Sequence, residues 1–151
     1  MIIYIVFFFI LFLFIIFLFI SALQLHPNTP SLYILLAAHE MDVNHSPDAA
    51  RKVLQRGLRI NEDSGELWIE YLKMELWFAE VVRRRRDVLG IERDREQIEP
   101  EHPSETVDIV KVVIQAALAK LNVEWKHKLK STVATYPVPD TIRNQWLPLF
   151  Q

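Results

Sequence analysis

A chain of 151 residues with 17 basic and 19 acidic side chains is enough for one modest domain and has no global charge drive toward nucleic acid. It contains no cysteine, which excludes a disulfide framework, an iron–sulfur site and thiol catalysis together. Three glycines and no Gly-rich motif argue against a phosphate-cradling loop.

Residues 1–20 hold seven Phe, seven Ile, three Leu, one Val, Tyr4 and Met1, and no charge. About 20 helical residues at roughly 1.5 Å each make about 30 Å, the thickness of a bilayer core, so one reading is a single-pass membrane anchor. Three details lower it. The segment lacks the basic start and small-residue cleavage site of a secretory signal. The first Lys or Arg is Arg51, too distant to set an orientation. It has no Ala or Gly for helix contacts in lipid. The other reading is a gene-model artefact: pyrimidine-rich DNA before a splice acceptor translates into Phe, Leu and Ile, much like FFFILFLFIIFLFIS. Both readings stand open, and either way the segment is expected to be helical.

Helices follow in series through residues 21–90. Ser21 to His26 continues helically and stops at Pro27. Thr29-Pro30 marks a start, cap then proline, of a helix to about Val43. Leu32, Tyr33, Leu36, Ala37 and Glu40 are spaced for one buried face of it. Ser46-Pro47 repeats the device and opens a helix to about Ile60, burying Ala50, Val53, Leu54 and Leu58. Asp63 or Ser64 caps the next helix, with Glu66 in its first turn where the helix dipole favours an acid. Leu67, Trp68, Tyr71, Leu72, Glu75, Phe78, Val81 and Val82 carry its period as far as Leu89.

Residues 91–103, IERDREQIEPEHP, read as a charged linker. The remaining stretch, 104–151, reads as further helices belonging to a truncated domain. Ser104 caps a helix from Glu105 to about Leu121, with Ile109, Val110, Val113, Ile114, Ala117 and Leu121 inward. A second runs from Val123 to about Tyr136, and a last one begins near Asp140. The ending Trp146-Leu147-Pro148-Leu149-Phe150 is apolar enough to need a partner surface.

One helix occurs twice. Leu32-Tyr33-Ile34 with Glu40 is answered 35 residues later by Leu67-Trp68-Ile69 with Glu75, and Leu23, Leu25, Asn28 and Thr29 by Leu58, Ile60, Asp63 and Ser64. A fixed period of this length is the mark of a helical array, in which no unit buries its apolar face alone. The fold class is therefore all-α, a helical-hairpin repeat array or α-solenoid fragment preceded by the apolar segment. An aromatic near the start of the first helix and a Glu near its end, as Trp68, Tyr71 and Glu75, with Ala50-Arg51 and Arg56-Gly57-Leu58 in the second, resemble the HAT (half-a-tetratricopeptide) repeat. Within that group, residues 22–95 are similar to the U3 small nucleolar RNA-associated protein 6 family, in its N-terminal part.

The resemblance implies a non-enzymatic scaffold in the small-subunit processome, acting in nucleolar pre-rRNA processing and 18S rRNA maturation. Its partners would be other processome proteins, with the pre-rRNA and U3 ribonucleoprotein met indirectly or weakly, and a membrane only if residues 1–20 are genuine. Two alternatives are a membrane-anchored helical adaptor and a HAT protein of mRNA splicing or 3′-end processing. The candidate seam residues are Tyr33, Glu40, Arg51, Trp68, Tyr71 and Glu75, aromatics filling the seam and Glu and Arg pairing at its edge. Arg83, Arg84, Arg85 and Arg86 are candidates for RNA phosphate or nuclear-import contact, weighed against a solvated helix end balanced by Asp87, Glu92, Asp94 and Glu96. His39-Glu40 lacks the second His a zinc-protease helix needs, since Val43 stands there. No catalytic residue, cofactor or metal ligand is assigned.

Overall fold

The computed structural model describes residues 2–89 and 105–150, with side chains at all of these but positions 2, 5, 8, 9, 12, 13, 16 and 105–108. The linker expected at 91–103 and the Ser104 cap lie outside the described residues. Among the described residues there are seven α-helices, a closing 3₁₀ turn and no strand: α1 (Ile2–Leu25), α2 (Pro30–Asp42), α3 (Pro47–Ile60), α4 (Gly65–Leu89), α5 (Glu105–Lys120), α6 (Val123–Thr135), α7 (Asp140–Trp146) and the turn Leu147–Phe150. They form two compact units, Met1–Glu62 and Asp63–Gln151.

In the first unit, α2 and α3 each start at a proline that has no amide to leave unsatisfied, and the short link between them, residues 43–46, folds them into a hairpin. Ser46 caps α3, its Oγ accepting from the Ala49 amide at 3.4 Å. Thr29 sits at the α2 cap position with extended backbone, but its hydroxyl makes no capping bond, which corrects that expectation. Its carbonyl takes the Leu32 amide instead. The hairpin turn has a left-handed residue, His45 at φ 50°, and a Ser46 N–H donating back to Glu40 O at 2.9 Å, which closes the turn onto the end of α2. Tyr33, Leu36, Ala37, Ala50, Leu54 and Leu58 form the core between the two helices.

Helix α1 is unbroken to Leu25 and rests on α2 through its C-terminal end, where Leu23 is buried and the Phe19 and His39 rings lie 6.0 Å apart. Toward its start, Ile3, Tyr4 and Phe7 are exposed. Among the described residues, which leave out seven side chains of α1, no helix is long and apolar enough to cross a membrane. The anchor reading of residues 1–20 gains no support from the structure.

The second unit is organised around α4, which packs on α5 and α6. Ser64 is its capping side chain, accepting from the Leu67 amide at 3.4 Å. Leu67, Trp68, Ile69, Tyr71, Leu72, Met74, Glu75 and Leu76 are all buried, so this half is covered nearly all round. The expected stripe at Val81 is not kept, for that side chain is 39% exposed. Val110, Val113, Ile114 and Ala117 of α5 and Leu129 and Val133 of α6 complete the core. Trp146 is fully buried in this same unit, so the apolar ending finds much of its cover there.

Candidate functional site

Because the expected function is to hold partners, the candidate site is a set of surfaces and the seams that shape them. The α2–α3 seam is built on Tyr33. Its ring lies flat on Gly57, where a Cβ would come within 2.8 Å of the ring carbon Cγ. Its hydroxyl donates to the Pro27 carbonyl at 3.0 Å, and the Asn61 side-chain amide donates to the same oxygen at 3.1 Å and to Gly57 O at 3.2 Å. Ring, glycine and amide thus fasten the entry to α2 onto the exit of α3. The sequence names Gly57 only within the Arg56-Gly57-Leu58 pattern, and neither its contact with Tyr33 nor the role of Asn61 was legible there.

Glu40 and Arg51, expected at the seam's edge, are both half-buried. The Glu40 carboxylate accepts from the Asn44 amide at 2.7 Å, and Arg51 pairs with Asp48 of its own helix at 3.0 Å. In the second unit Trp68, Tyr71 and Glu75 are buried, Glu75 to 2% exposure. The tightest approach there was not foreseen: a Cβ on Gly65 would lie 2.0 Å from the Trp125 ring. Gly65 opens α4, and the indole of α6 lies across it.

Two of the four arginines are held by acids of their own helix. Arg83 grips Glu80 with two nitrogens, at 2.8 and 2.9 Å, and reaches Asp87 at 2.6 Å. Arg84 donates to Glu80 at 2.6 Å. Asp87 was anticipated as a balancing charge, and Glu80 was not, although its spacings of three and four residues to the arginines are legible. The Arg83 hydrogen bond is the largest influence on Glu80. With Arg84 it outweighs the opposing cost of burial and holds the carboxyl at about 2. Burial raises the Tyr136 phenol above its ordinary value, and the Glu80 charge adds to that. Among the described residues no group of three His, Asp or Glu side chains is placed to hold a metal ion.

These charges yield a pH-dependent prediction. The Glu80 pKa is lowered on folding, from 4.5 to about 2. Its stabilisation is therefore full above about pH 5 and is lost as pH falls through 4.5 toward 2. Glu80→Gln is expected to cost about 1–2 kcal/mol at neutral pH, the worth of a charge-assisted pair. In urea titrations at several pH values the gap between variant and parent should close toward pH 2. A gap that ignores pH would refute the ion cluster as its cause.

No protein-family model matches the sequence. Curated relatives do. U3 small nucleolar RNA-associated protein 6 of Schizosaccharomyces pombe is 33% identical over 69 residues, 46% of this chain and 14% of that protein. The U3 small nucleolar RNA-associated protein 6 homolog of Homo sapiens is 32% identical over 91 residues, 60% of this chain and 15% of its own length. The Mus musculus homolog is 27% identical over 103 residues, 67% of this chain and 17% of its length. The chain therefore spans less than a fifth of each of these relatives. Across that span, this all-helical chain is similar to U3 small nucleolar RNA-associated protein 6.

Proposed function

We propose that this chain is part of a non-enzymatic scaffold for nucleolar pre-rRNA processing and small ribosomal subunit maturation, a HAT-type helical array whose faces receive other processome proteins. The observation that carries the reading is the agreement of three relatives, from a fungus and two mammals, on one RNA-associated protein. The hairpin supports it physically: α2 and α3 bury Tyr33, Leu36, Leu54 and Leu58, while Lys52, Arg56 and Arg59 of α3 stay exposed for partners. Tyr33, Glu40, Arg51, Trp68, Tyr71 and Glu75 act structurally in this reading, setting the spacing of helices. Among the described residues Arg83 and Arg84 are engaged by acids of their own helix, so this reading assigns contact with RNA or an import receptor to Arg85 and Arg86. A splicing or 3′-end processing role shares the helix pairs but not the relatives.

Affinity purification of the endogenous full-length protein should recover other processome proteins with U3 small nucleolar RNA, and its depletion should lower 18S rRNA. Recovery of splicing or 3′-end factors in their place would overturn the assignment.

A further inference from the structure

Helix α6 has two unlike faces. Trp125, Leu129 and Val133, four residues apart, turn inward, the first against Gly65 and the others fully buried. On an adjacent face Val123, Lys126, His127 and Lys130 line a groove of about 440 Å³. Leu118 of α5 and Leu149 and Phe150 of the closing turn form the rest of its wall. This is the size of a small-ligand cleft. Of its seven described lining residues four are apolar and three carry nitrogen donors. Val123 is 82% exposed, an apolar side chain the fold itself leaves in water.

We infer that this groove docks an acidic amphipathic segment of a partner protein, one with large apolar side chains flanked by Asp or Glu. The proposal gives the scaffold reading a partner chemistry and rests on it. Apolar side chains entering the groove cover Val123 and Leu149, removing both surfaces from water. Lys126 and Lys130, one helical turn apart on the same face, then meet carboxylates spaced at the same interval. Complementary charge selects the partner and speeds its arrival. Single-stranded RNA fits the chemistry less well. Of the described lining residues only His127 and Phe150 carry rings, and the aliphatic Leu118, Val123 and Leu149 offer a base no face to stack on.

The test is fluorescence anisotropy on the full chain with three labelled 16-residue probes. One is a helical peptide with Leu at the i, i+3, i+4 and i+7 positions and Glu elsewhere, the second carries Lys in place of Glu, and the third is oligouridine RNA. The acidic peptide should bind in the micromolar range, at least tenfold tighter than the basic one. The double variant Lys126→Glu with Lys130→Glu should weaken it at least tenfold, and Val123→Asp about fivefold. Far-UV circular dichroism should be unchanged, because Lys130 and Val123 are exposed and Lys126 is half-buried. Preference for the RNA, equal binding of the basic peptide, indifference to the charge reversals, or no binding would each overturn the proposal. Processome recovery by the double variant equal to the parent's would leave the scaffold standing and remove the groove from it.

Discussion

Gly65→Ala should lower the stability of the chain by about 2 kcal/mol, although alanine is the better helix former. The added methyl would meet the Trp125 ring at 2.0 to 2.4 Å from three of its atoms, far inside any real contact. A rigid indole cannot yield by rotating a flexible tip. The start of α6 is also fixed, since the Trp125 amide donates to the Asn122 side chain at 3.1 Å. Either α6 slides along α4 or the ring leaves its place, and both loosen the packing of Leu129 and Val133. Urea denaturation followed by circular dichroism measures the loss. Trp125→Leu should remove the clash, so the alanine added to that background should cost about 0.5 kcal/mol or less. Equal costs in the two backgrounds would show that the contact is not the cause.

Tyr33→Ala should be the most damaging change in the first unit, at about 3–5 kcal/mol, the range for emptying an aromatic site. The side chain is 1% exposed and fills the seam over Gly57. Tyr33→Phe separates the ring from its hydroxyl. It should cost only about 1 kcal/mol, because the Pro27 carbonyl keeps its bond from Asn61. The glycine beneath supplies a second reading of the same contact. Gly57→Ala should destabilise the parent, where the new methyl meets the ring at 2.8 Å, and should cost less by about 1 kcal/mol in Tyr33→Ala, where only the residue-33 Cβ at 3.0 Å still opposes it and the better helix propensity of alanine offsets that contact. Equal costs in the two backgrounds would show that ring and glycine are not coupled.

The helix borders were legible because they are local. Thr29-Pro30 and Ser46-Pro47 restrict the backbone over two or three residues, and α2 and α3 begin at those prolines. Inward faces follow the same logic in α5, where Val110, Val113, Ile114, Ala117 and the following Leu121 are buried as their spacing requires. The glycines were illegible for the opposite reason. Nothing near Gly65 in the chain announces that an indole 60 residues later will rest on it, and Gly57 depends on a ring 24 residues earlier. Asn61 likewise looks like a turn residue until its amide is seen reaching Pro27. The 35-residue echo carries less than residue-by-residue equivalence. Tyr33 and Trp68 are both buried, whereas Glu75 is enclosed and its counterpart Glu40 is half-open beside Asn44. Val81 departs from its pattern, since among the described residues the buried run of α4 ends at Ala79.

The Pro27 carbonyl has two lone pairs, and each is occupied by a donor, one six residues downstream and one 34. Fraying the start of α2 lifts Tyr33, and unwinding the end of α3 moves Gly57 and Asn61, so either event breaks the ring–glycine contact together with a bond to Pro27. The amides of the two helices are therefore expected to trade hydrogen for deuterium together, in a single opening event of the hairpin. Under the proposed scaffold reading that arrangement has a use: the hairpin offers its outer faces intact or not at all.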